Sequence, residues 1–252
     1  MKIGLIGAGN MARAMARGWD EPVVCYDPVA ERAEALARET GGMALGSGPE
    51  VAEQADLVVL CHKPAQLADV ASELGEHAKA VASILAATPL SVLKQAYSGR
   101  PVYRFLPSLP VEVRKGAIVQ AADPEGGSGD AALDERVREL FGRLGTLVVI
   151  DDALVDVAMG LMSCAPAYVA LVAEAQVDAG VRRGIPPAQA SALVTETIGA
   201  TAELLRKRGY DTLALRREVT SPGGTTARGL DALERGGLRA AFSDALDAVL
   251  GR

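Results

Sequence analysis

Residues Gly7-Ala8-Gly9-Asn10-Met11-Ala12 form a Gly-x-Gly-x-x-Ala run near the start of the chain. Those residue types, in that order, suit the approach of a pyrophosphate to bare backbone. Gly7 permits a tight turn, Gly9 removes a side chain from the anion's path, and Ala12 lets a helix lie close to the strand before it. The amides that open such a helix have no internal acceptor and face the anion. Asp27 stands 20 residues after Gly7, where a carboxylate meets the adenosine ribose of a bound dinucleotide. A carboxylate there repels a 2′-phosphate, so Asp27 leans toward NAD over NADP, with Arg32 and Arg38 pulling the other way. The plainer reading of the same residues is a structural glycine turn beside a solvated aspartate.

Two further stretches carry the same theme. Cys61-His62-Lys63-Pro64 follows an apolar run, at a place where open α/β sheets bind ligands. Lys63 suits neutralising a phosphate or positioning nicotinamide, His62 suits giving a proton, and Pro64 shapes the turn; an exposed loop with no such role fits the same letters. Leu85-Ala86-Ala87-Thr88 is small enough, at Ala86 above all, for backbone to lie against a nicotinamide ribose. Near the other end, Val219-Thr220-Ser221-Pro222-Gly223-Gly224-Thr225-Thr226 combines two glycines with two threonines that open a helix. That order makes a nest of N–H donors for a carboxylate or phosphate, or simply a capped helix after a turn.

These residues need elements to hold them. Lys2–Ile6, Val23–Tyr26, Leu57–Leu60, Ala80–Leu85, Val102–Leu106, Ala117–Gln120 and Leu147–Ile150 are apolar, strand-like runs, and most are separated by helical segments. That alternation predicts an α/β fold, a doubly wound, mainly parallel Rossmann sheet. Asp123–Asp130 is a loop by composition. After Asp151-Asp152 no strand pattern remains. An Ala-rich helix over 153–183, interrupted at Pro166, is followed by a turn at Gly184, a helix from Pro187 to Arg208, the Ser221–Thr226 loop and a last pair of helices. The expected division is therefore a dinucleotide-binding domain, 1–151, and an all-helical domain, 152–252.

Composition narrows the partners. Lys plus Arg is 26 against 32 Asp plus Glu, a net charge of −6, which argues against nucleic acid or an anionic membrane surface. Three scattered cysteines and two histidines give neither a disulfide framework nor a metal site, and a cytoplasmic setting is expected. Lys2 and the following apolar run are too interrupted by glycine for a signal peptide. No run of 18 uninterrupted apolar residues is apparent, so no transmembrane helix is expected.

The chain resembles the pyrroline-5-carboxylate reductases, the last enzymes of proline synthesis. The resemblance rests on IGLIGAGNMARAMARG, on Lys63-Pro64, on Pro166-Ala167-Tyr168, on DAGVRRGIP from Asp178 to Pro186, on VTSPGGTT and on LERGGLRAA from Leu233 to Ala241. It implies NAD or NADP as cofactor, a small imino-acid substrate, and a helical dimerisation domain giving a homodimer or larger homo-oligomer. By the match, Ser221, Gly223, Gly224, Thr225 and Thr226 hold the substrate, with Thr226 at the ring nitrogen. Three departures stand out: Ser163-Cys164-Ala165 replaces a usual GSG turn, Ser108-Leu109 replaces Asn-Thr, and His62 replaces an apolar residue. They leave open a reductase of another imino acid, or a non-catalytic nucleotide-binding regulator. A 3-hydroxyacid dehydrogenase needs a lysine on the interdomain helix, and 153–183 contains none. A coenzyme F420-dependent reductase explains the glycine motif but not SPGGTT.

Overall fold

The computed structural model describes residues 1–251, and the chain folds as two compact units, the first spanning Met1–Pro166 and the second beginning at Ala167. The first unit runs β1 (Ile3–Ile6), α1 (Asn10–Trp19), β2 (Val24–Tyr26), α2 (Ala30–Thr40), β3 (Met43–Ala44), α3 (Gly48–Gln54), β4 (Leu57–Leu60), α4 (Leu67–Leu74), β5 (Val81–Ser83), α5 (Leu90–Ala96), β6 (Val102–Pro107), β7 (Gly116–Ala122), α6 (Ala131–Gly142), β8 (Gly145–Asp151) and α7 (Val155–Ala158). The strands form one sheet in the order β3-β2-β1-β4-β5-β6-β7-β8. Every pairing is parallel except β6 with β7. The chain order reverses between β1 and β4, the switch point at which such sheets open a crevice.

Strand residues alternate between two cores. Ile3, Leu5, Leu57 and Val59 pack with Met15, Trp19 and Leu36 on one face. Ile6, Val58, Leu60 and Val81 pack with Val51, Leu74 and Leu93 on the other. Both faces are covered by helices, so the strands read as continuous apolar runs and the expectation of a doubly wound α/β sheet is met. Phe141 of α6 stacks on Phe105 at 3.8 Å and meets Trp19 edge-on at 5.8 Å. Trp19 Nε1 donates to the Leu140 carbonyl, which satisfies the buried indole. The short edge strand β3 had no clear signal, and β5 is shorter than the run Ala80–Leu85 suggests.

The first unit continues past the expected boundary at 151/152, because Val155, Ala158, Met159 and Met162 pack on Leu106, Val119 and Ala121. The interruption expected at Pro166 takes the form of a π-helical turn, Met159–Ser163, just before α8 (Ala165–Val181). Pro166 sits in the first turn of α8, where its missing N–H costs nothing.

The second unit is helical: the rest of α8, then α9 (Pro187–Lys207), α10 (Thr212–Glu218), α11 (Thr225–Arg235) and α12 (Leu238–Val249). Its buried apolar residues are Ala190 and Leu215, while Leu171 is 65% and Leu193 61% exposed. No run of 18 uninterrupted apolar residues occurs, yet one helical stretch has the length and composition of a membrane span. The helical stretch Asp152–Val181 is long and apolar enough to cross a membrane by length and composition. Its uncharged segment from Val157 to Ala173 is punctuated only by small residues and Tyr168, which lower hydropathy without adding charge.

Candidate functional site

Ile6 pairs in register with Tyr26 on one side and Leu60 on the other, so β1, β2 and β4 end together. Gly7 leaves β1 with φ +100 and donates its N–H to the Tyr26 carbonyl at 2.8 Å. A Cβ on Gly7 would lie 2.9 Å from the Cys61 carbonyl carbon and oxygen, so both the conformation and the space require glycine. Gly9 precedes α1 in an extended conformation, and a Cβ there would meet nothing within 4 Å. The first amides of α1 lack intrahelical acceptors by helix geometry, and they open onto this bare backbone.

Asp27 is 8% exposed. Its Oδ2 accepts from the Ala8 N–H at 2.8 Å and its Oδ1 from the Val29 N–H at 2.9 Å. The carboxylate therefore ties the glycine turn to the end of β2. It keeps unused lone pairs for a ribose hydroxyl, but it is first a clamp. The same bond removes Ala8 from the amides available to an anion, because its N–H is already donated and its side chain is buried.

A cavity of about 560 Å³ opens at these strand ends, with Gly7, Gly9, Asp27, His62 and Lys63 in its wall. His62 Nδ1 lies 2.9 Å from the Lys63 carbonyl. A carbonyl only accepts, so Nδ1 carries the proton and Nε2 is a bare acceptor. Nε2 is buried and has no partner among the described residues. Burial pushes the imidazole pKa down, against a smaller upward pull from the Lys63 carbonyl. A ring held neutral with its proton on Nδ1 has none at Nε2 to give, which argues against the proton-donor role expected of His62. The Lys63 N–H donates to Gln66 Oε1, and Pro64 opens the short turn that follows. Burial pushes the neighbouring Cys61 thiol up, which disfavours the thiolate there. An open glycine cradle, free helix-terminal amides and an orphaned acceptor together fit a dinucleotide.

Helix α4 adds residues the sequence reading missed. Asp69, Val70 and Glu73 reach the same cavity, joined by Gln66 just before the helix. Their spacing of three and four places them on one helical face, a signal that was present in the sequence. Asp152, Asp156 and Arg104 were also missed. They meet at the β5–α5 turn, where Ala86 is half-buried and Ala87 exposed. No short-range pattern announces a contact across about fifty residues of chain.

The two altered stretches have internal roles. The Ser108 hydroxyl accepts from the Ala117 N–H at 2.9 Å, bracing the β6–β7 connection, and Leu109 is exposed. The Ser163 hydroxyl donates to the Pro107 carbonyl at 3.2 Å.

In the second unit, the Gly224 N–H donates to the Ser221 carbonyl at 3.0 Å, closing a turn in which Gly223 has φ +69. Gly224 caps α11 without a side chain, and Arg228 Nη1 donates to the Gly223 carbonyl at 2.8 Å. Thr225 and Thr226 are exposed in the first turn of α11, so their amides and hydroxyls point at no internal acceptor in that helix. The bend is a closed turn that opens α11, with the Gly224 N–H spent inside it and the Thr225 and Thr226 amides at the helix start.

Two family models match the chain: pyrroline-5-carboxylate reductase dimerisation over residues 152–252, and NADP oxidoreductase, coenzyme F420-dependent, over residues 2–87. The chain is 35% identical to the pyrroline-5-carboxylate reductase of Thermus thermophilus, covering 100% of this chain and 97% of the relative. It is 33% identical to that of Glycine max, covering 99% and 94%. Among solved structures it is similar to 1-pyrroline-5-carboxylate reductase from Streptococcus pyogenes, with a TM-score of 0.89 at 30% identity over 100% of this chain and 97% of the other. It is also similar to pyrroline carboxylate reductase from Plasmodium falciparum with NADP bound, with a TM-score of 0.86 at 25% identity over 99% and 95%. A 3-hydroxyisobutyrate dehydrogenase from Mycobacterium tuberculosis, 17% identical over 89% of this chain and 71% of the other with a TM-score of 0.54, shares the fold alone.

Proposed function

This chain belongs to the pyrroline-5-carboxylate reductase family, and from that premise we propose how its residues serve the reaction. The protein is an oxidoreductase that reduces 1-pyrroline-5-carboxylate to L-proline with a nicotinamide nucleotide. The nicotinamide supplies hydride to the carbon of the C=N bond. The chain must then hold the nucleotide, grip the imino acid and align the two.

Gly7, Gly9, Asn10 and Met11 cradle the pyrophosphate, Asp27 fixes that turn, and Lys63 lends positive charge beside it. His62 Nε2 accepts a hydrogen bond from the adenosine half. Ala86 lies toward the nicotinamide side. Ser221, Gly223 and Thr225 hold the substrate carboxylate through amides and hydroxyls, Gly224 closes the bend because its own N–H is already donated to Ser221, and the Thr226 hydroxyl meets the ring nitrogen. A neutral hydroxyl suits that place, because a cation would repel a protonated imine. The exposed, turn-closed Ser221–Thr226 bend at the start of α11 is the observation that carries this assignment.

We propose NAD as the preferred cofactor, since Asp27, Asp69 and Glu73 put three carboxylates in the cavity wall against Arg32 and Lys63. We further propose that a second copy of the chain covers α8 and α9, where Val169, Leu171 and Leu193 stand exposed. Such a pairing removes apolar surface from water and makes the second unit stable. Free Cys25, Cys61 and Cys164 suit a reducing, cytoplasmic setting.

Following reduced-nicotinamide absorbance with 1-pyrroline-5-carboxylate tests the function. NADH should be consumed with a higher kcat/KM than NADPH. Absence of turnover with both, despite nucleotide binding, would leave a regulator rather than a reductase.

A further inference from the structure

The β5–α5 turn contains a backbone conformation that needs explaining. Ala87 has φ +51, in the left-handed region that costs a non-glycine residue free energy. Asp20 and Arg114 share that sign but end helices, where such caps are routine. Ala87 instead follows a strand, and it is held from outside. Its N–H donates to Asp156 Oδ1 at 3.2 Å, and the Leu90 N–H donates to Asp152 Oδ2 at 2.9 Å. The two carboxylates are gathered by one guanidinium. Arg104 Nη1 lies 2.7 Å from Asp152 Oδ1, and Nη2 lies 2.7 Å from Asp156 Oδ1.

The Arg104 side chain is 1% exposed, and its Nε has no partner among the described residues. A buried guanidinium with an orphaned donor, paired with carboxylates that reach solvent, is a poor source of stability, since apolar side chains of like volume do as well or better. Its value lies in position. Ser83 pairs in register with Leu60, so the β5–α5 turn stands beside the β4 end that lines the dinucleotide cavity. A dinucleotide laid across the switch point brings its second half over these strand ends. The Ala86 carbonyl accepts from the Thr88 hydroxyl at 3.0 Å, and the Ala87 N–H is taken by Asp156. With those two polar groups occupied, the turn presents small side chains at the strand ends, Ala86 half-buried and Ala87 exposed, which leave room for a planar ring.

We propose that Arg104 is a positioning residue: through Asp156 it holds the left-handed turn at Ala87 against which the nicotinamide end of the cofactor lies. The proposal rests on the dinucleotide reading of the cavity, and it adds a role for three residues outside that cavity's wall. If it holds, Asp156 is needed because alanine resists the conformation, and glycine at 87 relieves that need.

The experiment compares ADP-ribose, which lacks the nicotinamide, with NADH. Dissociation constants are measured for the intact protein, for Asp156→Ala, which removes the oxygen that accepts from both Ala87 and Arg104, and for Asp156→Ala combined with Ala87→Gly. Asp156→Ala keeps the Arg104–Asp152 pair and so guards against simple unfolding, which Arg104→Met risks. The single variant should bind ADP-ribose within twofold of the parent but NADH about tenfold more weakly. With 4-deuterated NADH it should show a larger isotope effect on kcat as hydride transfer becomes limiting. Adding Ala87→Gly should recover most of the NADH affinity. Equal weakening of ADP-ribose and NADH, or no recovery with glycine, would overturn the proposal and leave a structural ion cluster. A parent protein that binds NADH no tighter than ADP-ribose would overturn it as well. Lack of turnover alongside the expected binding pattern would instead sink the reductase reading and leave the clamp standing.

Discussion

Replacing Asp27 by Asn changes almost no volume but breaks the clamp at the glycine turn. The carboxylate accepts from two backbone amides, at 2.8 Å from Ala8 and 2.9 Å from Val29. Asparagine keeps one acceptor oxygen and turns an NH2 group toward the other amide. One charge-assisted bond, about 1.5–3 kcal/mol, is lost. If the oxygen stays with Val29, the Ala8 N–H remains buried and unpaired, so the cost sits in the upper half of that range, about 2–3 kcal/mol. Against a total stability of about 5–15 kcal/mol for a domain this is substantial. Trp19, the sole tryptophan, lies fully buried in the first unit and reports that unit's unfolding by fluorescence. With a urea slope of about 2–3 kcal/mol/M, the midpoint should fall by about 1 M at fixed protomer concentration. The clamp and the ribose contact are separable in the same variant. Loss of the clamp loosens the pyrophosphate turn and weakens NADH and NADPH alike. Loss of a ribose contact weakens NADH while easing the 2′-phosphate of NADPH. An unchanged midpoint would refute the clamp, whatever happened to nucleotide affinity.

Other changes test other parts of the argument. Gly7→Ala should cost about 3 kcal/mol by the same fluorescence assay, from its positive φ and the clash with the Cys61 carbonyl, and should abolish detectable NADH binding. Thr226→Ala should lower kcat about 100-fold with NADH affinity within twofold, and near-normal steady-state turnover would remove Thr226 from the site. Burial holds the folded His62 pKa below the ordinary 6.5, so the unfolded chain takes up the proton first. Its contribution is therefore intact above about pH 6.5 and is lost as pH falls through the lower folded value. Urea midpoints at pH 7.5 and 5.5 should differ less in His62→Gln than in the parent. Leu171→Glu places a charge on the exposed face of α8 and should shift sedimentation from dimer to monomer; an unaltered dimer would move the interface elsewhere.

Some of the site was legible because its signals are local. Gly7, Gly9 and Ala12 lie within one turn of chain, and the apolar runs of β1, β2 and β4 mark strands buried on both faces. The Ser221–Thr226 bend is likewise a matter of neighbouring residues. Asp27 was noticed by spacing, but its bonds to Ala8 and Val29 depend on β1 and β2 lying side by side. His62 was noticed too; the state of its ring was not, because that depends on the Lys63 carbonyl and on how deeply the neighbouring strands bury Nε2.

By itself, then, the amino-acid sequence determined most of the elements, the edge strand β3 excepted, together with the glycine turn and the bend before α11, since dihedral preference and apolar periodicity act over a few residues. Only the tertiary structure decided which polar groups were already spoken for: Asp27 by two amides, Asp156 by Ala87, and both Asp152 and Asp156 by Arg104. Hydrogen bonds and ion pairs are settled by distance in space, and the residues concerned are brought together by the winding of the sheet rather than by their order along the chain.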